Sequence, residues 1–160
     1  MFARRLRVGH HAGMAANSVD QIREQLATVP LFAGCHPSDL RVVARKCEVR
    51  DVPTGTVLIH AGEPDDEFFL LLAGSAERGR PGGHIRKMLP GDYFGELAVL
   101  DPAPRSLDVV TTSDSVVAVL TRAAFLTVLD AVPGVTPQLL QFMARRLRAA
   151  DLGEDIEQAE

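Results

Sequence analysis

The sequence predicts a mainly β protein with flanking helices: a sandwich or jelly roll with helices before it and two more after it. Two observations predict this. Short apolar stretches recur between residues 49 and 120 with Gly and Pro punctuation, the pattern of short antiparallel strands in a sandwich or roll. Apolar residues recur at helical spacing on either side of that region. No internal repeat of solenoid type is visible.

Each element follows from its residues. Val19, Ile22 and Leu26 lie at helical spacing from Ser18 onward and stop before Pro30. The pair Leu31-Phe32 should dock onto a core. Pro37 suits a first helical position, and Leu40, Val43 and Ala44 then share a face, with Cys47 following. After Glu48 the period shortens. Val49 and Val52 are separated from Val57, Leu58 and Ile59 by the turn Pro53-Thr54-Gly55, and the turn Ala61 to Asp66 leads into Phe68 to Leu72. Gly74 breaks that strand, and Gly79 to Gly83 forms a loop. Ile85 to Leu89 is a further strand, and Pro90-Gly91-Asp92 turns the chain again. Val109 to Thr111 and Val116 to Leu120 complete the strands. Thr121 is placed to cap a helix over Ala123 to Ala131, ended by Pro133-Gly134. A last helix starts at Thr136-Pro137 and carries Leu139, Leu140, Phe142, Met143 and Leu147 as an amphipathic stripe.

Composition sets bounds. With 160 residues, 46% apolar and 24% charged, the chain fits one globular domain with a sizeable core. A net charge of -4 argues against a nucleic-acid surface, which needs clustered positive charge. No apolar run approaches the roughly 20 residues of a membrane span. Without a secretory signal, a cytoplasmic location is expected. Cys35 and Cys47 make no disulfide framework, and Cys47 reads as a small core residue. Residues 1–17 read as a flexible basic leader containing Arg4, Arg5 and Arg7, residues 18–152 as the domain, and residues 153–160 as an acidic tail. His10 and His11 lack further ligands, and His36, His60 and His84 are isolated, so no metal site or cofactor is expected. Two distant cysteines cannot supply a four-cysteine cluster. No Ser-His-Asp or Cys-His pattern suggests catalysis, and the chain reads as a binding protein, not an enzyme.

The most informative stretch is Tyr93 to Asp108, YFGELAVLDPAPRSLD. Gly95 permits close backbone approach. Glu96 is a carboxylate that accepts hydrogen bonds from hydroxyls, and Arg105 offers a planar fork of donors for phosphate oxygens. Ser106 adds a hydroxyl and an N–H. As an isolated pair, Glu96 and Arg105 would more simply be a surface ion pair; the whole string is specific.

That string, Phe94-Gly95-Glu96-Leu97-Ala98 and then Pro104-Arg105-Ser106, resembles the phosphate-binding cassette of the cyclic nucleotide-binding domain family. The order of helices and strands is similar to the family's as well, together with Pro30-Leu31-Phe32, Gly55, Gly62, Gly74, Gly91-Asp92 and Phe125. The resemblance implies a β jelly roll (a double-stranded β-helix) that takes cAMP or cGMP as ligand. It implies that Glu96, with Gly95, accepts from the ribose 2′-hydroxyl, that Arg105 pairs with the cyclic phosphate, and that the N–H groups of Ala98 and Ser106 complete the cradle. The implied ligand-contacting set is Phe94, Gly95, Glu96, Leu97, Ala98, Pro104, Arg105, Ser106 and Leu107. Signalling would run through movement of the last helix to an effector protein or a second copy of the chain, with no helix-turn-helix following and no nucleic acid or membrane as partner.

Two residues depart from the family pattern. Leu107 stands where alanine is usual. If the strand alternates, it shares a face with Arg105, where it would crowd the phosphate or close the pocket. Asp108 replaces a small neutral residue, and its offset of three from Arg105 turns it away. Ser106 does not decide between cAMP and cGMP. Leu147, Leu152 and Ile156 are possible caps for the base, although core or dimer packing is the simpler role for each. These departures motivate the alternative of a degenerate jelly-roll scaffold that binds no nucleotide and acts by protein–protein interaction through Leu139, Met143 and Leu147.

Overall fold

The computed structural model describes residues 17–152 apart from 81, 102 and 106. Two helices come first. α1 (Asn17–Leu26) and α2 (Pro37–Lys46) turn Ile22, Leu26, Leu40, Val43 and Ala44 inward, as their spacing demands. Between them a 3-10 turn, Pro30–Phe32, buries Leu31 and Phe32. His36 caps α2: its Nδ1 accepts from the Ser38 N–H at 3.2 Å, a role that the sequence did not suggest.

Among the described residues eight strands follow: β1 (Glu48–Val52), β2 (Val57–Ile59), β3 (Glu67–Ala73), β4 (Ala76–Gly79), β5 (Ile85–Met88), β6 (Tyr93–Phe94), β7 (Asp108–Thr111) and β8 (Ser115–Thr121). They form two antiparallel sheets, ordered β1-β8-β3-β6 and β2-β7-β4-β5. A five-residue helix, α3 (Glu96–Leu100), lies between β6 and β7. Two helices, α4 (Arg122–Ala131) and α5 (Val135–Asp151), end the described chain. The mainly β jelly roll with flanking helices is therefore as expected.

β3 explains how the layers are held. Its side chains alternate, so Phe68, Leu70 and Leu72 face the helices while Phe69 and Leu71 face the second sheet. β8 does the same, with Ala118 and Leu120 on the helix side and Val117 and Val119 inside the roll. A strand covered on both faces reads as an unbroken apolar run, as EFFLLLA does. Thr121 caps α4, its hydroxyl accepting from the Ala124 N–H at 3.2 Å.

Several details differ from the expectation. β4 was missed because its sequence, AERG, buries only every other residue. β6 and α3 are too short to show a period. α5 starts at Val135, ahead of Thr136. Cys47 is half-buried at the end of α2, where its thiol donates to the Val43 carbonyl at 3.5 Å and burial pushes its pKa up to about 12. Leu139 is in the core, but Leu147 and Leu152 are 65% and 75% exposed, which corrects a core role for either. Ile156, residues 1–16 of the basic leader and the acidic tail lie outside the described residues, while Asn17, read as the end of the leader, begins α1. No single described helix is long and apolar enough to cross a membrane.

Candidate functional site

The Tyr93–Asp108 segment opens on β6, which pairs with β3 so that Phe94 stacks on Phe69, ring centroids 5.1 Å apart and planes 13° from parallel. Phe94 is buried in the inner core and anchors the start of the segment. Gly95 then turns the chain with φ +92°, a conformation that side-chained residues rarely adopt. A Cβ there would run into the Glu67 carbonyl and lie 3.3 and 3.4 Å from the terminal nitrogens of Arg105. The turn thus brings the Gly95 backbone against the guanidinium with nothing between them.

Glu96 begins α3 and is buried, 3% exposed, unlike an ordinary turn carboxylate. Leu97 lies in α3, and Ala98 follows in its first turn, also buried. Arg105 arrives from the other side. Its Nη2 donates to the Glu67 carbonyl at 3.0 Å, while its buried Nε has no hydrogen-bond partner. Burial pushes the guanidinium's pKa down, opposed by the nearby carboxylates of Asp65, Glu96, Asp66 and Glu67. Glu96 is buried and Arg105 half-buried, so the surface-pair reading does not describe this site. Sequence reasoning missed Glu67 and Asp65. Glu67 contributes through its backbone carbonyl, which any residue type supplies. Asp65 was read only as part of a turn.

The main chain around Arg105 is clamped. Its N–H donates to the Glu63 carbonyl at 3.1 Å, and its carbonyl accepts from the Gly62 N–H at 2.8 Å. Pro104, exposed, forms an antiparallel bridge with Pro64. The loop between β2 and β3 is therefore the second wall of the site.

The two departing residues have clear places. Leu107 precedes β7 in a bend, so strand alternation does not govern it, and like Leu58 it packs against the inner core of the roll. Asp108 turns to the β2–β3 loop, where its Oδ1 accepts from the Ala61 N–H at 2.7 Å. Ser106 lies outside the described residues. Among the described residues no group of three or more His, Cys, Asp or Glu could hold a metal ion.

Two antiparallel sheets with flanking helices, and a positive-φ glycine beside a buried glutamate and a half-buried arginine, place the chain in the class of jelly-roll domains. A family model described as the cyclic nucleotide-binding domain matches residues 49–131, and the chain belongs to that family. It is 32% identical over 130 residues to the CRP-like cAMP-activated global transcriptional regulator of Mycobacterium tuberculosis, covering 78% of this chain and 58% of that protein. It is 36% identical over 110 residues to the cAMP-dependent protein kinase regulatory subunit of Hypocrea atroviridis, covering 69% of this chain and 24% of that one. Among solved structures, the Thermus thermophilus catabolite activator protein aligns with a TM-score of 0.70 at 31% identity, covering 78% of this chain and 61% of that chain. The regulatory domain of Toxoplasma gondii PKA, crystallised with cAMP, aligns with a TM-score of 0.68 at 26% identity, covering 81% and 51%.

Proposed function

We propose that residues 18–152 form a non-catalytic regulatory module that binds a cyclic nucleotide, cAMP or cGMP. The observation that carries this reading is Arg105. Its guanidinium is partly buried, rests against the Cβ-less Gly95 and keeps one buried N–H unpartnered, beside a buried Glu96. A guanidinium held this way is ready for phosphate oxygens at little ordering cost. In this reading Arg105 pairs with the cyclic phosphate and Glu96, with Gly95, accepts from the ribose 2′-hydroxyl. The N–H groups of Ala98 and Ser106 complete the cradle, and Phe94, Leu97, Pro104 and Leu107 frame it. Two relatives named for cAMP support it as the first ligand to test.

Output would run through α5. Leu140 and Leu147 leave apolar surface on it exposed, continued by Leu152 just past its end, suited to an effector protein or a second copy of the chain. Ligand binding shifts such a helix only by its differential affinity for the two helix positions. The second reading, a scaffold that binds no nucleotide, is favoured by one observation: Leu107 adds its bulk to the roll's lining where the family usually has alanine.

Calorimetric titration with cAMP and cGMP separates the two. Saturable binding is expected, and Arg105→Ala should remove roughly 2–5 kcal/mol of it, at least tenfold in Kd, while the fold survives. Unchanged affinity in that variant would remove Arg105 from the site. Absence of heat with either nucleotide, in folded protein freed of co-purified ligand, would leave the scaffold.

A further inference from the structure

We infer that Asp108 is a positioning residue for Arg105, acting through the loop between β2 and β3. The inference rests on the proposed reading of Arg105 as the phosphate ligand. Asp108 Oδ1 accepts from the Ala61 N–H at 2.7 Å, a short bond to a charged acceptor. The next two residues of that loop hold Arg105 by both of its backbone groups, Gly62 donating to its carbonyl at 2.8 Å and Glu63 accepting from its N–H at 3.1 Å. The same loop runs on into Glu67, whose carbonyl takes the Arg105 guanidinium at 3.0 Å and whose carboxylate is tied to Arg50 at 2.8 Å. Both the main chain and the side chain of Arg105 are thus referenced to residues 62–67. Asp108 fastens that segment at one end and Arg50 at the other.

The arrangement gives the acidic residue a use that its charge alone obscures. Its oxygen Oδ1 is engaged by the Ala61 amide, with the His60 ring nitrogen Nδ1 3.9 Å away. His60 in turn lies 2.8 Å from the Ala61 carbonyl, so Ala61 is held from both sides. Without Asp108 the Ala61 N–H loses its acceptor and the loop loses its fixed point on β7. Arg105 would then sample positions displaced from the one needed to meet a phosphate squarely, and small displacements of a positioned group are costly.

The test uses the whole chain, with Asp108→Ala and Asp108→Asn. The asparagine amide oxygen can still accept from Ala61; alanine cannot. Two readouts are needed: amide hydrogen exchange at Ala61, Gly62 and Arg105 without ligand, and calorimetric titration with cAMP and cGMP. For Asp108→Ala we expect faster exchange at those amides and about tenfold weaker binding, the scale of one lost hydrogen bond to a charged acceptor. Asp108→Asn should restore both to near wild type. Asp108→Ala with wild-type exchange and affinity would overturn the inference. So would an alanine variant that binds more tightly, since Asp108 would then be repelling the phosphate. An asparagine variant as impaired as alanine would also overturn it, by assigning the effect to charge. If the wild-type protein binds neither nucleotide, the proposed function fails on that arm alone, and the exchange pattern still decides whether Asp108 latches the loop.

Discussion

The two faces of the β3–β8 layer are both closed to water, yet they are built for different ends. On the helix side, Phe68, Leu70, Leu72, Ala118 and Leu120 join one apolar cluster with residues of α1, α2, α3, α4 and α5. On the inner side, Phe69, Leu71, Val117 and Val119 meet Ile59, Ala76, Met88 and Val109 of the opposite sheet. There Phe94 and Leu107 bring the apolar lining to within one or two residues of Gly95, Glu96 and Arg105 in sequence. The helix side gains stability from every residue it buries. The inner side adjoins a partly buried guanidinium and a buried carboxylate, groups that cost free energy to desolvate. In the proposed reading this layer largely separates what holds the fold from what faces a ligand, although Tyr93 and Val99 of the cassette segment pack on the helix side, and substitutions on its two sides should separate in the same way.

The largest expected effect lies on the helix side. Phe125 of α4 is fully buried and packs on Phe68 at 5.9 Å between ring centroids. Phe125→Ala should cost about 3–5 kcal/mol of stability, the usual range for emptying such a site. Nucleotide affinity of the folded protein should stay near wild type. Denaturant unfolding and calorimetry on the same sample check this, and a parallel collapse of affinity would deny the division between the faces.

Gly95→Ala comes next and should behave in the opposite sense. Forcing a Cβ onto a positive-φ residue costs roughly 1–3 kcal/mol. Here the Cβ also meets the Glu67 carbonyl, which must give way and take the Arg105 anchor with it. Binding should fall below detection while the fold is only weakened. Gly55→Ala is the control: φ there is +81°, but nothing lies within 4 Å of an added Cβ. It should cost about 1 kcal/mol of stability and leave binding intact. Equal losses of affinity in the two variants would mean that Gly95 matters only as a turn.

What was legible in the sequence follows from the range of each signal. The continuous run Phe68 to Leu72 and the amphipathic spacing of α1 and α2 are local patterns set by burial, and they located the layers. The cassette string was legible because its Gly, Glu and Arg lie together in one short span of chain. The clamp of Arg105 by Gly62 and Glu63 was not legible, because backbone groups make it and leave no mark on residue type. The turn Ala61 to Asp66 showed its glycine and acids but not the segment it would hold. Asp108 illustrates the same limit. Its offset from Arg105 suggested only that it turns away, while its acceptor role depends on an amide 47 residues earlier in the chain.

The smallest effect expected belongs to the far end of β2, and it sharpens the comparison by lying outside both cores. Asp114 Oδ1 accepts from the Thr54 N–H at 2.9 Å and from its hydroxyl at 3.1 Å, fastening the Pro53-Thr54-Gly55 turn. The backbone hydrogen bond, with help from the hydroxyl, holds the carboxyl below its ordinary value of 3.8. Because the folded pKa is the lower one, this contribution is present above the unfolded pKa and disappears as pH falls through the folded one. Asp114→Ala should therefore be slightly less stable than wild type at neutral pH, and the gap should close on acidification below about pH 4. The group is fully exposed, so the gap should also shrink in salt. Urea unfolding at a series of pH values reads it directly, and cyclic nucleotide affinity should be indifferent to the change. A gap that persists at low pH would assign the loss to backbone effects of the substitution. A change in affinity would mean that this turn communicates with the Ala61–Asp66 loop along β2, and that both ends of the strand belong to the site.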